Sequence, residues 1–329
     1  MKRRKICYLA LLLTSHGAGC RAYNDPNVDE SPEAECRVIQ EVDTSYVDDE
    51  RTFQTVAIYT YDDRHLLEML RSESSDGALV VENFHYDASS RLSLHQIDSD
   101  GDALADAAIW YDYGAGSEIE HQDHNGDGQA DSITFRELDE AGRMTKRLLD
   151  ENADSNAEIV ETWSYGQAGI LTHEWDYGAD GIPERWETRH YNSEGSLVIA
   201  RTETPGGVSR VEEREYEEDG RSVAQVRTDQ DGDGAVDRWS RYERVLAEGI
   251  EEITVRHYIE SEGPVQSIDV FEMVDDSPRS ISRDSDADGT IDYRIEFTAD
   301  EHGNELGWEV DEDGDGRIDA TLERTFRCD

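Results

Sequence analysis

The segment DQDGDGAVDRWSRYERV, residues 229–245, decides the fold. Its first nine residues set Asp229, Asp231, Asp233 and Asp237 at the first, third, fifth and ninth places of a short loop that holds Gly232 and Gly234. Gly, Asp and Asn form turns readily, because Gly tolerates positive φ and Asx side chains bond their own backbone. Directly after it, Trp239 to Tyr242 reads as the start of a strand, since aromatic residues interleaved with polar ones suit a pleated surface. One turn and one strand make half of a hairpin.

The same nine-residue loop recurs along the chain. Copies begin at Asp98 (DSDGDALAD), Asp123 (DHNGDGQAD), Asp150 (DENADSNAE), Asp284 (DSDADGTID) and Asp311 (DEDGDGRID). A worn copy runs from Asp176 to Glu184, and a shorter trace sits at Asp76-Gly77. First aspartates are separated by 25, 27, 26, 53, 55 and 27 residues, so the two long steps each hide one degenerate copy. A fixed period of this length marks a repeat architecture. Strands follow each loop, as at Ile109–Tyr113, Ile133–Phe135, Ile159–Tyr165, Trp186–Tyr191 and Tyr293–Phe297. A second turn ending in Gly then appears at 139–142, 166–169, 192–195, 218–220 and 300–303. Asp or Asn followed by such a Gly suits a type I turn closed by a left-handed residue. The expected fold is therefore all-β: an antiparallel meander of about eleven hairpin repeats of about 26 residues over 37–329, curled into a barrel-like or superhelical sheet.

The acid spacing points to calcium, which takes six to eight oxygens in a loose geometry. The candidate metal ligands are Asp98, Asp100, Asp102 and Asp106; Asp123, Asn125, Asp127 and Asp131; Asp150, Asn152, Asp154 and Glu158. The remaining sets are Asp229, Asp231, Asp233 and Asp237; Asp284, Asp286, Asp288 and Asp292; Asp311, Asp313, Asp315 and Asp319. Gly at the sixth place lets the backbone bend, and the seventh carbonyl can coordinate. The eighth residue is small or apolar (Ala105, Ala130, Ala157, Pro183, Val236, Ile291, Ile318), as expected of an anchor into a core. These turns resemble the calcium loops of EF-hands, dockerins and thrombospondin type 3 repeats. They depart from an EF-hand at the twelfth place, which is Ile109, Thr134, Ser240, Ile295 or Leu322, with Glu only at Glu161 and Glu187. Affinity is accordingly expected in the extracellular range, about 10⁻⁴ to 10⁻³ M.

The stretches Tyr59-Thr60-Tyr61-Asp62 and Phe84-His85-Tyr86-Asp87 with Arg91-Leu92 resemble the YD repeats of RHS-type proteins, over roughly 37–329. RHS shells usually enclose a toxin and carry a self-cleaving segment. Neither is visible here, so the toxin role does not carry over.

The N-terminus reads as an export signal over 1–19: Lys2, Arg3, Arg4 and Lys5, then a short apolar run from Ile6 to Leu13, too short to span a bilayer. Ala18-Gly19-Cys20 resembles a bacterial lipobox, with Gly17 where that motif usually has Leu; the resemblance implies acylation of Cys20. The other reading is an ordinary signal cleaved nearby. Arg21 is not the Asp of an inner-membrane retention signal, which favours a lipid-anchored protein of the outer membrane or cell surface of a Gram-negative bacterium. Residues 20–36 then form an acidic tether. Cys36 and Cys328 bracket the repeat region, and export permits a disulfide between them; two unpaired thiols or a bond to another molecule are the alternatives. Pairing within one chain would require the sheet to curl until its ends meet, since a straight array would hold them about 100 Å apart.

The net charge is −47, from 78 acidic and 31 basic side chains. That excludes nucleic acid or an anionic membrane as a partner of any broad basic surface. No GxSxG, P-loop, HExxH or dinucleotide fingerprint is present, and the histidines are scattered. The expectation is a non-catalytic calcium-binding surface module, with a cell-surface protein or polysaccharide as partner. The alternatives are a glycan-binding adhesin, using Trp110, Trp163, Trp186 and Trp239 as an exposed row, and an enzyme with an unrecognised site.

Overall fold

A computed structural model describes residues 36–47, 50–166, 169–247, 249–259, 263–274, 277–300 and 305–328. The signal, Cys20 and the tether up to residue 35 lie outside the described residues. The described residues form 22 strands. They begin with β1 (Cys36–Val47), β2 (Glu50–Tyr61), β3 (Leu67–Ser74), β4 (Leu79–Tyr86), β5 (Leu92–Asp98), β6 (Ala107–Gly114) and β7 (Ser117–Asp123). Next come β8 (Ser132–Leu138), β9 (Met144–Asp150), β10 (Ile159–Tyr165), β11 (Ile170–Tyr177), β12 (Arg185–Tyr191), β13 (Leu197–Thr204), β14 (Gly207–Tyr216) and β15 (Val223–Asp229). The last are β16 (Arg238–Ala247), β17 (Ile250–Ile259), β18 (Val265–Val274), β19 (Ser277–Asp284), β20 (Tyr293–Ala299), β21 (Glu305–Asp311) and β22 (Ala320–Cys328).

Each strand pairs antiparallel with the next, and β22 pairs back onto β1. The meander is thus a closed barrel of eleven hairpins, and no helix occurs among the described residues. Closure leaves no free sheet edge, the usual route to unwanted strand pairing. The two hidden repeats are present as hairpins. The first, β13–β14, is joined through Pro205-Gly206, so that loop has shrunk to a tight turn. Asp76-Gly77 is likewise a tight turn between β3 and β4.

Because direction alternates, every odd-to-even connection lies on one rim and every even-to-odd connection on the other. The seven Asp-rich loops follow β5, β7, β9, β11, β15, β19 and β21, so all share one rim, here the acid rim. The Gly turns occupy the opposite rim, the turn rim.

Register traces two faces around the wall. Ala57, Val255, Ile281, Val310 and Leu322, the buried apolar residues, all fall on one face. The concave side of a closed sheet is the more crowded, which makes this the inner face. Among the described residues no large side chain is fully buried. The barrel is therefore a single-layer wall, without the dense core that a sandwich builds between two sheets. Ion pairs line both sides. Inside, Arg136 holds Glu118 at 2.6 Å and Glu120 at 2.9 Å, and Asp269 holds Arg283 at 2.6 Å. Outside, Arg256 meets Glu243 at 2.7 Å and Arg201 meets Glu203 at 2.9 Å.

Four tyrosines, two of them (Tyr61 and Tyr86) from the Tyr-Asp stretches, tie the two strands of one hairpin together on the turn rim. Tyr61, Tyr86, Tyr113 and Tyr165 donate their hydroxyls to the carbonyls of Val38, Leu67, Leu92 and Met144 at 2.7 to 2.9 Å. The Asp after Tyr86 caps its turn: Asp87 accepts the N–H groups of Ser89 and Arg91, and the Arg91 guanidinium lies 4.1 Å over the Tyr113 ring. In the β15–β16 hairpin, which has no such tyrosine, Arg244 donates to the Val223 carbonyl at 2.6 Å instead.

Candidate metal centres on the acid rim

All seven loops are wired alike. The ninth residue's N–H donates to the carbonyl just before the first aspartate, as from Asp106 to Ile97 and Asp319 to Val310, both 2.8 Å. The first carboxylate accepts the N–H of the sixth residue: Ala103 to Asp98 2.9 Å, Gly128 to Asp123 2.8 Å, Ser155 to Asp150 2.7 Å, Gly234 to Asp229 2.8 Å. Gly289 to Asp284 and Gly316 to Asp311 repeat it at 2.9 Å. The ninth carboxylate accepts the N–H of the second residue, as in Gln230 to Asp237 at 2.6 Å. The fifth carboxylate accepts the N–H of the seventh, as in Ala235 to Asp233 at 2.7 Å and Leu104 to Asp102 at 2.8 Å. Each acid is thus held in place by the backbone, with further lone pairs left on its carboxylate.

The first aspartates are buried, Asp123 to 2% exposure. Burial pushes the Asp123 carboxyl up, but the N–H groups of Gly128, Asn125 and Gly126 outweigh it and hold the acid below the usual carboxylate range. It is therefore ionised at neutral pH. Acid oxygens converge within 4.8 Å of one another in Asp98–Asp100–Asp106, Asp150–Asp154–Glu158, Asp229–Asp231–Asp237 and Asp284–Asp286–Asp292. The worn copy does the same with Asp176, Asp180 and Glu184, a set left out of the candidate ligands above. Its signal was the acids at places one, five and nine, which the missing third acid obscures. In two loops an amide takes the third place and donates to the ninth acid: Asn125 to Asp131 at 3.2 Å, Asn152 to Glu158 at 2.8 Å. Asp286 and Asp288 are exposed, as are Asp313 and Asp315, the latter 3.9 Å from Arg317.

Glu161 and Glu187, the only twelfth-place acids, leave the loops altogether. They sit on the inner face, Glu161 with His173 at 3.0 Å and Glu187 with Arg189, whereas the first aspartates face outward in register. The eighth residue is half-buried in five loops, but in the last two it is not the expected core anchor. Ile291 is 38% exposed and Ile318 37%. Its backbone does the packing: the fourth residue of the next loop lies against it, Gly126 on Ala105 and Gly314 on Ile291. These neighbouring loops therefore touch on the rim.

The four tryptophans do not form one row. Trp110, Trp186 and Trp239 lie on the outer face and Trp163 on the inner. In a strand, one residue of offset changes the face. Trp163 stands five residues after its loop's ninth acid, whereas Trp110, Trp186 and Trp239 stand four, two and two after theirs. Three of the rings also have partners: His121 stacks on Trp110 with centroids 5.1 Å apart, His173 stacks on Trp163 at 4.2 Å, and Arg227 lies 5.8 Å over Trp239.

No protein-family model and no curated protein sequence matches the chain. Among solved structures it is similar to a porin-like protein from Bacteroides uniformis, at 10% identity and TM-score 0.30, covering 88% of this chain and 98% of that one. A porin-like protein from Bacteroides vulgatus matches with the same coverage and identity at TM-score 0.22. A chain described as TcdB2-TccC3-TEV matches at 11% identity and TM-score 0.29, over 80% of this chain and 17% of that one. Likeness of this degree decides nothing about function.

Proposed function

We propose that the protein is a calcium-binding, calcium-stabilised barrel that serves as a structural or interaction module on a bacterial surface. The observation that carries this reading is the shared wiring of seven acidic loops around one rim, with acid oxygens gathered within 4.8 Å in at least five of them. Calcium fits that donor set. It accepts six to eight oxygens at irregular angles, and each complete loop offers four acid or amide side chains plus the seventh carbonyl. Magnesium fits less well, because it demands octahedral geometry and keeps its waters. An ion bound to each loop relieves repulsion among its acids and, through loop-to-loop contact, ties adjacent hairpins.

The reading places the protein outside the cell, held by a lipid on Cys20. Ion pairs on both faces of the wall argue against a lipid-facing barrel, whose outer surface carries an apolar band. The described chain enters at Cys36 on the turn rim. An anchor at Cys20 would join the barrel there and leave the acid rim on the far side, open to a surface protein or polysaccharide. Calorimetric titration of the chelator-treated protein with calcium tests the metal: several ions bound at about 10⁻⁴ to 10⁻³ M support the reading, and no binding at millimolar calcium refutes it.

A further inference from the structure

The seam between β1 and β22 differs from every other junction in the barrel. All other neighbours are consecutive in the chain and joined by a hairpin. These two are the first and last strands, and only their pairing closes the ring. Their register begins Cys36↔Cys328, Arg37↔Arg327, Val38↔Phe326, and after one irregularity continues to Ser45↔Ala320. On the acid rim the seam is finished by the Tyr46 N–H, which donates to the Asp319 carbonyl at 2.6 Å. Midway, Arg324 of β22 meets Glu41 of β1 at 2.9 Å. At the turn rim, where a hairpin would join any other pair, the register sets two cysteines opposite each other.

We propose that Cys36 and Cys328 form a disulfide that staples the seam. Directly opposed residues of antiparallel strands have α-carbons about 4.5 to 5.5 Å apart. A disulfide spans about 4.4 to 6.8 Å, so the backbone needs no movement to accept one. The reaction balances with a protein disulfide as oxidant. One cysteine thiolate attacks a sulfur of the oxidant's disulfide and displaces its other sulfur as thiolate. The second cysteine thiolate then displaces the remaining oxidant sulfur. One S–S bond forms here and one breaks there, and two electrons and two protons pass to the oxidant dithiol. The bond encloses nearly the whole repeat domain, and the restriction that a crosslink places on the unfolded chain grows with loop length. Opening the seam would expose two edge strands at once.

This inference does not rest on calcium, and its test is separate. Full-length chain exported to an oxidising compartment is purified, alkylated without reduction, digested and mapped by mass spectrometry. The expected result is a Cys36–Cys328 linked peptide from monomeric protein, lost on reduction. Melts of the same sample in saturating calcium, with and without reductant, should show a lower Tm when reduced. The variant C36S/C328S should melt like the reduced protein and ignore reductant. Alkylated Cys36 and Cys328 in the unreduced sample would overturn the proposal. So would linkage of either to Cys20 or to a second molecule.

Discussion

Gly126 rests against the backbone of Ala105, one hairpin away. With φ at 70°, a Cβ there would overlap the Ala105 carbonyl oxygen and lie 3.2 Å from the Asp106 α-carbon. Through this contact one acidic loop braces the next.

Gly126→Ala should therefore destabilise the barrel beyond the left-handed strain of about 1–2 kcal/mol, because the preceding loop must also move. The measurement is a urea melt beside Gly128→Ala, where the added methyl meets open space and only the strain applies. Equal losses would show that the loops do not bear on each other.

Ala103 stands at the sixth place of its loop with φ 72°, where five of the other six copies have Gly. Ala103→Gly should raise stability by about 1 kcal/mol, as relief of left-handed strain outweighs the greater entropy lost on folding. Chemical denaturation reads it directly, and a loss of stability would mean that the loop does not hold that conformation.

Tyr113→Phe keeps the ring beneath Arg91 but removes the hydroxyl bonded to the Leu92 carbonyl at 2.7 Å. The expected cost is about 1 kcal/mol. Calcium stoichiometry should be unchanged, since this latch lies on the other rim. A variant as stable as the parent would remove the latch from the account.

The repeat was legible because Asp, Gly and aromatic residues recur at fixed spacing, and every strand expected after a loop is present. Closure was only conditional, since Cys36 and Cys328 are neighbours solely through the β1–β22 register. Trp163 misled because parity, which sets the face, counts from an uneven loop exit. The fourth-place Gly was unexplained in the sequence because its reason lies in the preceding hairpin. The eighth residue suggested a core that a single-layer wall does not have.

Asp219 reports the turn rim. The Ser222 hydroxyl, with the N–H groups of Arg221 and Ser222, holds its carboxyl down to about 2, below its ordinary value of 3.8. A depressed folded-state pKa contributes stability above the unfolded value and loses it as pH falls toward 2. Carboxyl-carbon NMR should give a midpoint near 2 for Asp219 in the folded barrel, and Ser222→Ala should move it up. A midpoint at the ordinary value would show the turn is not formed in solution.

The loops should act singly as well as together. Asp231→Ala with Asp233→Ala should lower the calcium stoichiometry by one ion. Hydrogen exchange should rise mainly in β15, β16 and their neighbours, because repeats couple to the nearest units. Uniform loosening of the whole barrel would contradict loop-by-loop binding.

The central claim is that calcium on the acid rim holds this barrel together, and a thermal melt in calcium against excess chelator tests it most directly. Binding only the folded form at 10 to 100 times Kd adds about 1–3 kcal/mol per occupied loop. With several loops filled, Tm should be about 10 °C or more higher in calcium, with magnesium giving a smaller shift. The same Tm in 10 mM calcium and in excess chelator, at about 10 times Kd or more for the expected affinity, would contradict the account.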